Sequence, residues 1–139
     1  MIRPSCSCLL VGVLLECFIP TLATTAAESP RADYAAVEAV FSKHCLDCHA
    51  AQDPEAKLVL ESYADFLKGG ESGAVFVTNR SADSLLVKMV EGNFERDGKK
   101  KIMPPGKRKK LEASEIAALK GWIDAGAPSP KDTDRKSVV

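Results

Sequence analysis

The stretch that decides the reading is Val40-Phe41-Ser42-Lys43-His44-Cys45-Leu46-Asp47-Cys48-His49. Within it, Cys45-x-x-Cys48-His49 is the spacing used for covalent attachment of a c-type haem. Two thiols add across the two vinyl groups on one edge of a porphyrin and form thioethers. Two intervening residues let both sulfurs meet that edge. The residue that follows, His49, then lies beneath the iron and offers its imidazole as the proximal ligand. Rival readings fit less well. A zinc ribbon needs a second ligand pair, and His44 is the one imidazole left over, because the 139-residue chain has two histidines. A thioredoxin-like dithiol needs a strand before the motif and a helix after it, whereas here a helical pattern comes first.

Working outward, the other three cysteines, Cys6, Cys8 and Cys17, fall in the first thirty residues. Arg3, an apolar run from Leu9 to Ile19 and the small residues Thr21 to Ala27 have the form of a secretory signal peptide, taken here as 1–26. The run is too short for a transmembrane helix and contains Glu16, so no transmembrane segment is expected in the mature chain. Leu14-Leu15-Glu16-Cys17 has some likeness to a lipid-attachment box, but Glu16 stands where a small residue is wanted. Removing the leader leaves Cys45 and Cys48 alone, three positions apart, which is not a disulfide framework. The expected location is extracytoplasmic, periplasmic or similar, with anchoring if the signal stays uncleaved. Haem attachment needs an oxidising compartment and agrees with that location.

The mature chain reads as a linker (27–33), one domain (34–127) and a polar tail (128–139) expected to be disordered. Nineteen basic residues balance nineteen acidic ones, which excludes a protein working by bulk positive charge and gives no sign of nucleic-acid binding. Asp33 is a suitable N-cap for a helix from about Tyr34 to Lys43, with Tyr34, Val37, Val40 and Phe41 on one face. Ser62 caps a short helix from Tyr63 to Lys68 that Gly69-Gly70 stops. Val75-Phe76-Val77 is expected to be partly buried. A third helix spans about Asp83 to Glu91, Asn93 to Lys110 is read as loop, and the last helix runs from about Glu112 to Ala125 with Gly126 just past its end. No strand pair is expected. The fold class is therefore all-α, three to four short helices and long loops, a thin core of the kind that usually needs a large cofactor as a staple.

A c-type haem needs something on its second face. His44 adjoins the tethered edge and cannot easily swing across; it reads as a capping or surface histidine. Met103, in Ile102-Met103-Pro104-Pro105-Gly106, is the better candidate for the distal iron ligand. Met89 lies in a helical stripe and reads as core, but Met103 sits in a loop whose two prolines hold the backbone. Met/His ligation raises the iron potential and favours electron transfer over ligand binding.

From Val40 to Pro130 the chain resembles the planctomycete-type cytochrome c domain, a branch of the class I cytochromes c. The residues that carry the likeness are Cys45-Leu46-Asp47-Cys48-His49, Leu58-Val59-Leu60, Leu67-Lys68-Gly69-Gly70-Glu71-Ser72-Gly73, Ser84-Leu85-Leu86, Met103-Pro104-Pro105 and Lys120-Gly121-Trp122-Ile123-Asp124-Ala125-Gly126-Ala127. The resemblance implies a small cytochrome c-like fold around one covalent haem c, with the first and last helices crossing beside it. It implies Cys45 and Cys48 as attachment sites, His49 as proximal ligand and Met103 as distal ligand. The chain departs from the family in having Ala56-Lys57 where Gly-Gly is usual, Thr78-Asn79 for a Pro-Gly turn and Glu112 for a serine cap. Val59 replaces a common arginine, leaving Arg80 as the substitute for a propionate contact.

With both axial positions filled, the expected role is an electron carrier, not an enzyme, passing single electrons between extracytoplasmic redox partners. The alternative is a haem-based sensor or interaction module with an open or labile sixth position, and a peroxidase-type side activity would also need an open iron. Lys99, Lys100, Lys101, Lys107, Arg108, Lys109 and Lys110 flank Met103 without an acidic residue among them. That run is the expected docking region, near Lys99–Lys110, for an acidic redox protein.

Overall fold

Asp33 caps the first helix: its carboxylate accepts the Ala36 N–H at 2.9 Å. The computed structural model describes residues 33–130, so the expected leader, the linker up to residue 32 and the tail from residue 131 lie outside the described residues. Helix α1 spans Tyr34–His44 and buries Tyr34, Val37, Val40 and Phe41, the face that its periodicity marks. The chain then turns directly into a one-turn helix, α2 (Leu46–His49), through Cys45. A 3₁₀ turn at Glu55–Lys57 leads to α3 (Tyr63–Lys68), which Ser62 caps by accepting the Asp65 N–H at 3.1 Å. Gly69 ends α3 at φ 71°, and a Cβ there would lie 2.2 Å from the Gly73 carbonyl oxygen. Only glycine fits that turn.

A second 3₁₀ turn (Ser81–Asp83) precedes α4 (Leu85–Val90), and α5 covers Ala113–Asp124. Glu112 serves as N-cap of α5 through a capping box with Glu115, so the missing serine has a working substitute. Gly126 follows the helix at φ 95°, as its position past the last turn predicts. No helix of the described residues is long and apolar enough to cross a membrane.

The structure is helix-rich, with five α-helices among the described residues where three to four were expected, the one-turn α2 at the motif being the addition, and it departs from an all-α reading at one place. Phe94–Arg96 (β1) and Lys99–Lys101 (β2) form an antiparallel hairpin inside the stretch read as loop, with Phe94 opposite Lys101 and Arg96 opposite Lys99. Asp97 and Gly98 both have positive φ, 54° and 68°, which is the two-residue turn that Asp-Gly favours. The Asp-Gly pair was the available signal. Strands of three residues, mostly charged and exposed, gave no alternation to go with it.

The core is aromatic. Trp122 on α5 is fully buried and meets Tyr34, Tyr63, Phe66 and Phe76 with ring centroids 5.3–6.3 Å apart. Its Nε1–H donates to the Pro128 carbonyl at 3.0 Å, and Tyr63 donates to the Ala127 carbonyl at 3.0 Å, so the packed chain runs on through Pro128. Asp124 ties the second 3₁₀ turn to α5 by accepting the Ser81 N–H at 2.8 Å and its hydroxyl at 2.7 Å; these bonds, the backbone one first, hold its carboxyl below the ordinary range. Val75 is buried and Phe76 half-buried as expected, but Val77 is exposed, because the Val77 N–H turns to the buried Ser84 hydroxyl and the side chain faces out. The Tyr34 hydroxyl is buried without a hydrogen-bond partner among the described residues, and burial, with Glu38 nearby, pushes its pKa up to about 12.

Replacing Trp122 by Ala is expected to cost about 3–5 kcal/mol in urea unfolding followed by circular dichroism, the range for deleting a large buried ring. Tyr34→Phe is expected to be neutral or to gain about 1 kcal/mol in the same measurement, because it removes a hydroxyl that has lost water and found no partner.

Candidate functional site

The motif is positioned by the end of α1. The Cys45 N–H closes α1 on the Phe41 carbonyl at 2.8 Å, and the Cys48 and His49 N–H groups return to the Cys45 carbonyl at 3.1 and 3.0 Å. These bonds wind Cys45, Cys48 and His49 around one turn. His49 is fixed further by Leu58, whose carbonyl lies 3.2 Å from Nδ1, and by its own carbonyl accepting the Leu60 N–H at 2.8 Å. With Nδ1 directed to a carbonyl, Nε2 is the nitrogen with a free lone pair, the arrangement that orients an imidazole for a metal.

Opposite in sequence, Met103 is placed by the hairpin. Its N–H donates to the Met89 carbonyl at 2.9 Å, joining the chain after β2 to α4. Pro104 is buried, and Lys110 reaches back to the Pro104 carbonyl and, at 3.0 Å, to the Gly106 carbonyl, closing the loop on itself.

These segments enclose a cleft with two lobes. The larger, about 270 Å³, is lined by His44, Cys45, Cys48, His49, Glu55, Val90, Met103, Pro104, Pro105, Arg108 and Leu111. The smaller, about 110 Å³, is lined by Leu58, Leu60, Val75, Leu85, Leu86 and Met89 together with Ala56, Gly70, Glu71 and Ser72. Cys45, His49, Val90 and Met103 line both. The four residues singled out from the sequence thus come together at one place. The walls are mostly aliphatic, and both cysteines are free thiols.

Burial pushes the Cys45 thiol up to about 11, so it stays neutral at pH 7. That is the opposite of the depressed thiol a redox-active dithiol needs. Among the described residues no group of three or more His, Cys, Asp and Glu side chains is gathered for a bare metal ion. The donors fit a different group: a flat, largely apolar macrocycle that brings its own equatorial nitrogens. Two thiols, one oriented imidazole and one thioether along an aliphatic cleft meet the needs of haem c.

Two expectations change. His44 is no surface histidine: its side chain is 4% exposed, and Nε2 lies 2.9 Å from Glu115 Oε2. Glu115 also accepts Lys43 Nζ at 2.6 Å and the Glu112 N–H at 2.8 Å. The Lys43 bond first, then the Glu112 N–H and His44, lowers its pKa to about 2. This cluster clamps the motif end of α1 to the start of α5. Arg80 is not at the cleft; it pairs with Asp83 at 2.6 Å on the surface, its side chain 66% exposed. Reading the sequence did single out Arg108, but as one of a basic run. It lines the cleft and bonds Asp47, inside the motif, at 2.8 Å.

Ala56 and Lys57 stand at φ 53° and 54°, and Asn79 at φ 61°, in the left-handed region that glycine favours. The Ala56 carbonyl accepts the Glu71 N–H at 2.8 Å and so fixes the rim of the smaller lobe.

Residues 45–107 match the family model described as Planctomycete cytochrome C; α1 and α5 lie outside the matched segment. No curated protein and no solved structure matches the chain.

Glu115 carries an acid-dependent share of the stability. Its folded pKa lies below the ordinary 4.5, so its contribution is complete above that pH and is lost as pH falls toward about 2. Thermal melts of wild type and Glu115→Gln are expected to differ at pH 6 and to converge on acidification through that window. Separately, Ala56→Gly is expected to raise stability by about 1 kcal/mol in urea titration, by relieving a left-handed alanine.

Proposed function

We propose that the chain, whose residues 45–107 match the Planctomycete cytochrome C model, holds one haem c and passes single electrons between extracytoplasmic partners. The observation that carries the reading is the meeting of Cys45, Cys48, His49 and Met103 along one aliphatic cleft. In this reading Cys45 and Cys48 form the thioethers, His49 Nε2 is the proximal ligand and the Met103 thioether is the distal one. Bound haem supplies a reversible one-electron couple. The chain's own residues hold it, exclude water from it and set its potential. Leu58 fixes the His49 ring, and Lys110 holds the loop that presents Met103.

A filled sixth position leaves no site for a substrate on the metal, which supports a carrier over a catalyst. The basic run supports docking of an acidic redox protein. Its members are not equivalent. Arg108 pairs with Asp47, Lys109 with Glu112 at 3.0 Å, and Lys110 bonds two carbonyls. Among the described residues Lys99, Lys100, Lys101 and Lys107 make no ion pair and are exposed, so they are the cations available to a partner. In sequence they flank Ile102, which is 38% exposed and precedes Met103. The signal-like leader supports export.

Protein made with the c-type maturation machinery is expected to show a covalent haem spectrum, a methionine–iron charge-transfer band and no shift with carbon monoxide. Met103→Ala should lose that band, bind carbon monoxide and fall in potential. Ready carbon monoxide binding by the unmodified protein would replace the carrier with a sensor or catalyst, and absence of haem would end the reading. Electron exchange with an acidic partner should slow as salt rises, and a rate independent of ionic strength would remove the docking proposal.

A further inference from the structure

A haem tethered by its vinyl edge sends two propionates away from that edge. Cys45 lines both lobes and Cys48 only the larger, so the smaller lobe extends from the Cys45 side of the motif, away from Cys48. Its polar rim is the Gly70–Ser72 turn. That rim is poor in positive charge: it contributes Glu71, whose carboxylate is already 3.5 Å from Lys57 Nζ. An anionic group arriving there meets a carboxylate and needs a cation.

One arginine is poised to supply it. Arg96, at the end of β1, donates from its guanidinium to the Ser72 hydroxyl at 3.0 Å, and Ser72 lines the smaller lobe. The Arg96 guanidinium also lies 5.7 Å from the Phe94 ring centroid. Among the described residues it has no carboxylate partner, unlike Arg80 and Arg108, which pair with Asp83 and Asp47. A guanidinium offers five donors in a fixed fork, and one bond to a hydroxyl leaves most of them open to a carboxylate. Of the residues that do line the cleft, Arg108 is already paired with Asp47 and His44 is bonded to Glu115.

We infer that Arg96, held at the rim of the smaller lobe by its bond to Ser72, is the residue that binds a haem propionate in this chain. The hairpin that carries it is then part of the cofactor site, not only a scaffold for Met103. This rests on the haem reading above. A positive charge at the propionate favours the reduced haem, so Arg96 also helps to set the potential.

The test is spectroelectrochemical titration of the haem-loaded protein. Arg96→Gln is expected to keep the covalent haem spectrum and the methionine band while its midpoint potential falls, the reduction equilibrium weakening several-fold. Arg96→Lys should restore most of the shift. Ser72→Ala, which keeps the charge but frees the side chain, should lower the potential by less, and gives a second reading if Arg96→Gln loads poorly. Arg80→Gln should match wild type. An unchanged potential in Arg96→Gln, or an equal fall in Arg80→Gln, would overturn the assignment while leaving the cytochrome reading intact. Failure of the unmodified chain to load haem would remove both.

Discussion

The crossing of α1 and α5 is the contact on which the cleft depends. The motif begins where α1 ends, so any rotation of α1 moves Cys45 and, through the turn that follows, His49. Two different interactions hold the crossing. Trp122 packs edgewise and tilted among Tyr34, Tyr63, Phe66 and Phe76, and Phe41 meets Phe66 at 5.0 Å. At the motif end, Glu115 gathers Lys43, His44 and the Glu112 N–H. The aromatic contacts set how deeply the helices approach, since burial of apolar area is strong but not directional. The polar clamp sets the rotation, because hydrogen bonds fail at poor angles. A small domain with one thin core gains by placing its directional bonds at the end where chemistry needs a fixed geometry.

The aromatic core and the cleft divide the molecule between them. Every described aromatic except Phe94 belongs to the ring cluster, and none lines the cleft. The cleft walls are instead valine, leucine, proline and methionine. This division has a physical sense. The cluster can pack to full density without a cofactor, while aliphatic walls present a low-polarity surface that a flat macrocycle can cover. Folding of the scaffold and binding of a group in the cleft are then partly separable, as the proposed covalent attachment would require.

What could be read from the sequence was local. Asp33, Ser62, Gly69 and Gly126 announce helix ends within a few residues of themselves, and the Cys45–His49 pattern is five residues long. The buried faces of α1 and α5 follow from periodicity. What could not be read depends on distant partners. His44 looks like a terminal, exposed histidine until Glu115, 71 positions later, takes its Nε2. Arg108 is one cation in a run until Asp47, 61 positions earlier, draws it to the motif. Positions where glycine is missing are a third case. Ala56, Lys57 and Asn79 still adopt positive φ, because bonds such as Glu71 N–H to the Ala56 carbonyl fix the loop whatever residue stands there. Composition at those positions therefore understates the left-handed backbone they adopt.

Charge around the cleft follows one logic once partners are assigned. The chain has no net charge, so recognition of the acidic partner proposed above would rest on where cations are left unpaired rather than on a global field. Near the motif they are compensated: Lys43 by Glu115, which also bonds His44, and Arg108 by Asp47. Across the hairpin no ion pair forms among the described residues, although Glu95 faces Lys100 in register. Lys99, Lys100 and Lys101 line one strand, and Arg96 on the other faces Lys99 in register. The hairpin therefore concentrates unpaired positive charge on the one element that carries the chain into Met103. Had these cations been spread over α5 or α1, they would have repelled Lys43 and loosened the clamp that fixes the motif. Placing them on a short strand pair, outside the aromatic core, separates the charge that a partner or a cofactor carboxylate can use from the charge pairs that hold the fold.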